Sequence, residues 1–247
     1  MIRKSFIFLE KIGRKGEENI WNSGVKDWND FLRVDKIKGI SVRSKEYYNR
    51  KIKEAKEALV NDDSFYFVGK LPAVEMWRLY DYFKEEAGYL DIEVDSLGKV
   101  ILVGISDYYN SNYFVKGVNL SKGEIERELS KYKLIVTFNG GAFDLPKLRK
   151  QMDVVVKVAH LDLKQLCVNL ELVGGLKEVE KRLGLGRPAH LYGNPVDLWK
   201  AFHASGDREY LDLLIAYNGE DIENLKSIAG FVEGKLKSKL SEIKRNI

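Results

Sequence analysis

The stretch "YLDIEVDSLGKVILVGISDYYNSNYFVKGV", residues 89–118, decides how the rest of the chain is read. Three runs rich in β-branched and aromatic residues, "YLDIEVD", "KVILVGISDYY" and "NYFVKGV", are separated only by "SLG" and "NS". Turns that short join antiparallel neighbours, so the segment predicts three hairpin-connected strands. In the first run the side chains alternate: Leu90, Ile92 and Val94 take one face, and Asp91, Glu93 and Asp95 the other. Taken alone, this is a half-exposed strand with a polar outer face. Three acids on one face also repel one another, and a divalent cation accepting oxygens from two of them would offset that repulsion.

Downstream, "SKGEIERELSKY" predicts a helix, with Ser121 and Glu124 at capping-box spacing. "KLIVTF" is a fourth strand, "LPKLRKQM" a helix opened by Pro146, and "DVVVKVAHLD" a fifth strand. Helical patterns follow in "LKQLCVNLEL", "GLKEVEKRLGL" and "DREYLDLLIAYNGEDIENLKSIAGFV". Helix crossovers require parallel pairing of the later strands. The expected fold is therefore α/β, a mixed five-stranded sheet flanked by helices, over residues 87–247.

Upstream, residues 1–86 form a mostly helical arm or small domain. "GEENIWNSG", "VKDWNDFL", "SKEYYNRKIKEAKEALV" and "AVEMWRLYDYFKEE" carry helical spacing, and "SFYFVG" reads as a short strand. "LEKIGRKGEENIWNSGVKDWNDFL" has a faint resemblance to helix-hairpin-helix segments through Ile12-Gly13 and Gly24-Val25. The plainer reading is two short amphipathic helices that pack Ile20, Trp21, Trp28 and Phe31 into a local core.

Composition narrows the function classes. A chain of 247 residues, 45% hydrophobic and 32% charged, buries a sizeable core and is not a disordered segment. Its only cysteine, Cys167, excludes an internal disulfide framework and a cysteine-based zinc site. No apolar run is long enough to span a bilayer, and the charged start "MIRKSFIFLEKIGRKGEE" is unlike a signal peptide, so a cytoplasmic protein is expected. The net charge of +4 is mild but uneven. Between Arg33 and Lys56 nine Lys/Arg stand against three Asp/Glu, with Tyr47 and Tyr48 among them, and the tail "EGKLKSKLSEIKRNI" is also basic. Such stretches suit a phosphate backbone or, more plainly, a solvated helix face.

After the fourth strand comes "TFNGGAFDLPKLRK", residues 137–150. Asp144 just before Pro146 is either a helix-start cap or a carboxylate held at the mouth of the sheet. The "NGG" permits unusual backbone and close approach, and Asn139 either meets a substrate or organises the turn. Late in the chain, "AYNGED" puts Tyr217 and Asp221 four residues apart, on one helix face.

Asp-x-Glu on the first strand, Asn-x-x-x-Phe-Asp after the fourth and Tyr-x-x-x-Asp on a late helix together resemble the three motifs of the DEDD (DnaQ-like) exonuclease family. That family has a ribonuclease-H-like fold. "TFNGGAFDLPKLRK", "YNGEDIENL" and "HLDLKQL…LKEVEKRLGLGRP" look most like the YprB-type ribonuclease-H-like domains, and the first two also resemble the proofreading domains of B-family DNA polymerases. The resemblance covers about residues 88 to 230. It implies that Asp91, Glu93, Asp144 and Asp221 hold two divalent cations, Mg²⁺ or Mn²⁺. It implies that Tyr217 helps to orient the attacking water, as in the tyrosine subclass; the histidine subclass would need histidine where this chain has Ala216. Asn139 and Phe143 would contact substrate, and Asp162 would play a supporting role or cap the following helix.

The implied activity is 3′→5′ hydrolysis of single-stranded DNA or RNA ends. Two metals about 4 Å apart would activate water and stabilise the departing oxygen. Acids alone suffice, because these cations prefer oxygen ligands. His160, His190 and His203 are accordingly read as structural or surface residues. The rival readings are a non-catalytic nucleic-acid-binding accessory protein that retains the fold, and an endonuclease of the same fold.

Overall fold

Five strands carry the site. Strand β1 (Ala87–Val94) pairs antiparallel with β2 (Val100–Ser106), and β2 pairs antiparallel with β3 (Ser111–Val115). Strands β4 (Leu134–Thr137) and β5 (Ala159–Asp162) add in parallel on the other edge of β1, giving the order β3-β2-β1-β4-β5. This is the mixed five-stranded sheet expected from three hairpin-linked strands followed by helix crossovers. The computed structural model describes residues 1–188, 191 and 194–245, and His190 lies outside them.

Helices cover both faces. Leu90, Ile92, Val103 and Ile135 pack on one face with Ile125 and Leu129 of α5 (Lys122–Leu129) and Leu148 of α6 (Asp144–Met152). On the other face Ile101, Leu102 and Val115 meet Trp199 of α9 (Pro195–Ser205) and Leu211 and Leu214 of α10 (Arg208–Arg245). In chain order α7 (Leu163–Asn169) and α8 (Leu176–Leu183) follow β5 and precede α9. The Ser121 side chain accepts from the Glu124 N–H at 3.3 Å, so the capping serine reads correctly.

Two sequence expectations are corrected, and one helix is added. "SFYFVG" is not a strand: Ser64–Phe67 form a 3₁₀ turn that Asp63 caps by accepting from the Tyr66 N–H. A four-residue apolar run fits either conformation, and the cap decides it. Only the last four residues of "DVVVKVAHLD" form a strand. Asp153 ends α6 in the left-handed region (φ 55°), and Val154 turns into the core before any ladder begins. Helix α9 was not expected, although Asn194 caps it, Pro195 opens it and Gly206 (φ 71°) follows its end.

The chain divides into two compact units, Met1–Lys84 with Glu233–Ile247, and Glu85–Val232. The first contains α1 (Arg14–Asn22), α2 (Trp28–Arg33), α3 (Val42–Val60) and α4 (Trp77–Phe83). Ile20, Trp21, Trp28 and Phe31 are all buried in it, as the amphipathic reading requires. Inside this unit Arg78 is buried between two acids: its Nη1 lies 2.9 Å from Glu17 and its Nε 2.7 Å from Glu75. Glu17 Oε1 also accepts from Ser5 Oγ and from the N–H groups of Phe6 and Ile7, which supports its buried charge. Among the described residues, no helix is long and apolar enough to cross a membrane.

Candidate functional site

Parallel pairing of β1 with β4 stops at Tyr89, because β4 ends at Thr137 and the chain turns away. The Ile92 N–H beyond that point is taken by Asp144, whose Oδ1 accepts it at 3.1 Å. Asp144 is the first residue of α6 and is buried, and Phe143 is the capping residue. Its side chain therefore closes the open end of the β1–β4 ladder.

The other acids of β1 face α10. Asp91, Glu93 and Asp221 each present a carboxylate oxygen within 4.8 Å of the others. Helix α10 comes this close because Asp91 is paired across the sheet with Gly104, which has no side chain. A Cβ at Gly104 would stand 1.8 Å from Asn218 Oδ1. Asn218 uses that room to donate from Nδ2 to Asp91 Oδ2 at 2.8 Å. Asp144 is not among the three grouped oxygens, and Asp95 belongs elsewhere: it accepts from the Leu97 and Lys99 N–H groups and pairs with Lys116.

A cleft of about 380 Å³ opens over this group, lined by Asp91, Glu93, Phe138, Lys177, Tyr217 and Asp221 among others. Tyr217 is buried, with Lys177 Nζ 4.8 Å and Arg187 Cζ 5.2 Å from its ring centre. Arg187 forms a two-pronged pair with Glu180 of α8, both contacts at 2.7 Å, and its Nη2 also bonds Asp221. Among the described residues its Nη1 is buried without a hydrogen-bond partner. Sequence reading did not single out Lys177, Arg187 or Asn218. Asn218 alone carried a signal, since it lies three residues before Asp221 on the same helix face.

The "NGG" loop is held from below. Asp162 accepts from the Asn139 N–H at 2.8 Å, the Gly141 N–H at 3.1 Å and the Lys164 N–H at 3.1 Å, so it caps α7 and fixes the loop at once. Asn139 sits in the left-handed region (φ 65°), which asparagine tolerates better than most residues. Gly140 lies against Thr137, where a Cβ would come within 2.3 Å of Oγ1. Thr137 Oγ1 is 2.8 Å from His160 Nε2, which gives that histidine a structural partner. His203 packs edge-on against Trp199. Phe143 leaves 39% of its surface exposed, with Lys147 over its ring.

Crowding and burial act together on the acids. Burial, then the charges of Asp221, Asp144 and Glu93, hold the Asp91 carboxyl well above its ordinary range. Burial and the Asp221 charge push Glu93 up to about 8. Burial lifts Asp144 to about 7 despite two backbone N–H groups that favour its charged form. Asp221 rises only to about 6, because Arg187 opposes the effect of burial. A hard cation would offset the repulsion among acids this crowded, and an oxygen-only donor set is of the kind that Mg²⁺ or Mn²⁺ accepts.

The family B DNA polymerase from the hyperthermophilic archaeon Pyrobaculum calidifontis is similar in structure, with a TM-score of 0.48 and 19% sequence identity. The similarity covers 59% of this chain and 24% of that one, so this chain spans about a quarter of the polymerase. No curated protein matches the sequence. The model of one family matches residues 88–232, from the start of β1 to Val232 in α10, and with more than half of its length so matched the chain belongs to the RNase_H superfamily.

Proposed function

We propose that the protein is a divalent-metal-dependent nuclease of the DEDD type, tyrosine subclass, that removes nucleotides from the 3′ end of single-stranded DNA or RNA. The observation that carries this reading is the convergence of Asp91, Glu93 and Asp221 within 4.8 Å at a cleft, in a chain of this superfamily. Asp91, Glu93 and Asp221 would hold Mg²⁺ or Mn²⁺, with Asp144 completing the set for a second ion. Bound there, two such ions supply an activated water and charge stabilisation for the departing oxygen.

The protein's own groups do the rest. The reaction is hydrolysis: water adds to phosphorus, the P–O3′ bond breaks, and a nucleoside 5′-monophosphate leaves a strand with a free 3′-hydroxyl. Tyr217 directs its hydroxyl at the attacking water, and Lys177, beside its ring, offers an ammonium to a phosphate oxygen. Asn218 fixes the Asp91 carboxylate by its amide. The loop of Asn139, held by Asp162, and the exposed ring of Phe143 receive the terminal nucleotide, the ring by stacking.

One observation favours a second reading. Asp221 is already paired with Arg187, an arrangement suited to a binding protein with no working metal centre. Incubation of 5′-labelled single-stranded DNA and RNA with Mg²⁺, Mn²⁺ or EDTA separates the two. The nuclease reading expects a metal-dependent ladder that shortens from the 3′ end and is absent for Asp144→Ala. Binding without cleavage under either metal supports the accessory protein, and cutting of closed circles supports an endonuclease.

A further inference from the structure

A groove of about 780 Å³ lies entirely within the first unit, lined by residues 10–11 and by the first three turns of α3. It is outside the segment that matches the family, residues 88–232, and no step of the proposed reaction uses it. Arg43, Tyr47, Arg50 and Lys53 follow one another at helical spacing and so form one stripe along α3. Lys11 adds a fourth cation from the opposite wall.

Among the described residues these four cations have no carboxylate partner, whereas nearby Lys51 is paired with Glu54 at 2.8 Å and Lys45 is buried over the Phe31 ring. The two acids of the groove, Glu10 and Glu46, offset only part of the charge of the four cations. Glu10 accepts the Tyr47 hydroxyl at 2.7 Å, which orients the half-buried tyrosine ring. Arg50 lies 5.8 Å and Lys51 5.6 Å from the centre of that ring.

We infer that this groove binds single-stranded nucleic acid, with Lys11, Arg43, Arg50 and Lys53 on phosphates and Tyr47 stacked on a base. From Arg43 to Lys53 the helix advances about 15 Å, room for roughly four stacked nucleotides at 3.4 Å each. A lone phosphate would need only a compact subset of these cations. A repeating row of cations beside an aromatic ring matches a polymer that alternates charge with flat bases. A single strand can splay its bases into such a groove, which a duplex cannot do.

The inference stands whether or not the chain cleaves, so the test measures binding in EDTA. Anisotropy of fluorescein-labelled dT12 and U12 is followed with the full chain at several salt concentrations. The triple variant R43E/R50E/K53E is expected to weaken binding at least tenfold. It should also flatten the salt dependence by about two units of slope, at roughly 0.7 per lost phosphate contact. Tyr47→Ala should weaken binding about tenfold and Tyr47→Phe much less, because the ring stacks and its hydroxyl does not.

The neutral triple R43Q/R50Q/K53Q, expected to lose a smaller share, provides a milder variant should charge reversal disturb the fold. A folded triple variant binding within twofold of the wild type overturns the proposal. So does an equal loss from reversing Lys131, Lys157 and Lys200, since that would be an effect of net charge alone. Equal binding of a 12-base-pair duplex, or equal displacement by polyglutamate, overturns the single-strand assignment.

Discussion

Arg187 and a divalent cation would share one acid, Asp221, and this gives the site its most testable residue. In the absence of metal, Arg187 offsets part of the repulsion among Asp91, Glu93 and Asp221. Arg187→Ala is therefore expected to melt at lower temperature than the wild type in EDTA, and to gain more from saturating Mn²⁺, because the ion replaces the missing charge. Equal Mn²⁺ shifts for the two proteins, measured by thermal melting, would count against a cation at Asp221. The raised carboxyls also set a pH dependence. Glu93 at about 8, Asp144 at about 7 and Asp221 at about 6 keep protons in the folded chain that unfolding releases. Their contribution to stability is fully present below the ordinary carboxylate range and is lost as pH rises towards 8. Melting in EDTA should thus fall between pH 5 and pH 8, and Mn²⁺ should restore most of the loss at pH 8. A metal-free melting temperature that rises over this range would contradict the crowding described for these acids.

Gly104 shows how one element positions another. Its bare Cα lets α10 bring Asn218 onto Asp91, so Gly104→Ala should displace Asn218 and cost about 1–3 kcal/mol in denaturant unfolding, as overpacking does. A stability unchanged to within about 0.5 kcal/mol would mean that the helix simply steps aside. At this scale much was legible in the sequence. The alternation of "YLDIEVD" gave β1 its two faces, Ser121 marked the start of α5, and the two short turns implied the antiparallel half of the sheet. "SFYFVG" misled because four apolar residues have no distinctive period, and Asp63 acts through a backbone bond that composition does not reveal. The acids Asp91, Glu93 and Asp221 could be named from local spacing and resemblance, whereas Arg187 and Lys177 could not. Arg187 reaches Asp221, and Lys177 the Tyr217 ring, across more than thirty residues of chain, and a cation in "GLKEVEKRLGLGRP" looks the same whether it faces water or a carboxylate.

Across the whole molecule, each compact unit has its own buried chemistry. In the first, Arg78→Met leaves Glu17 without its cationic partner in a dry core, which should cost about 3–5 kcal/mol and show in chemical denaturation. A loss under about 1 kcal/mol would mean that the N–H groups of Phe6 and Ile7 alone satisfy Glu17. In the second, β1 and α10 pool the carboxylates of Asp91, Glu93 and Asp221 from distant parts of the chain, and Asp144 at the start of α6 bonds to β1. The activity proposed for this cluster is the cleavage of phosphodiesters. The most direct measurement is the single-turnover rate of cleavage of a 5′-labelled single strand in Mn²⁺ by the wild type, Asp91→Asn and Asp221→Asn, each at saturating protein. The wild type is expected to cut and both variants to fall at least about a hundredfold while binding the strand equally well. Variants that cut at the wild-type rate, or a wild type that cuts as well in EDTA, would contradict the proposal.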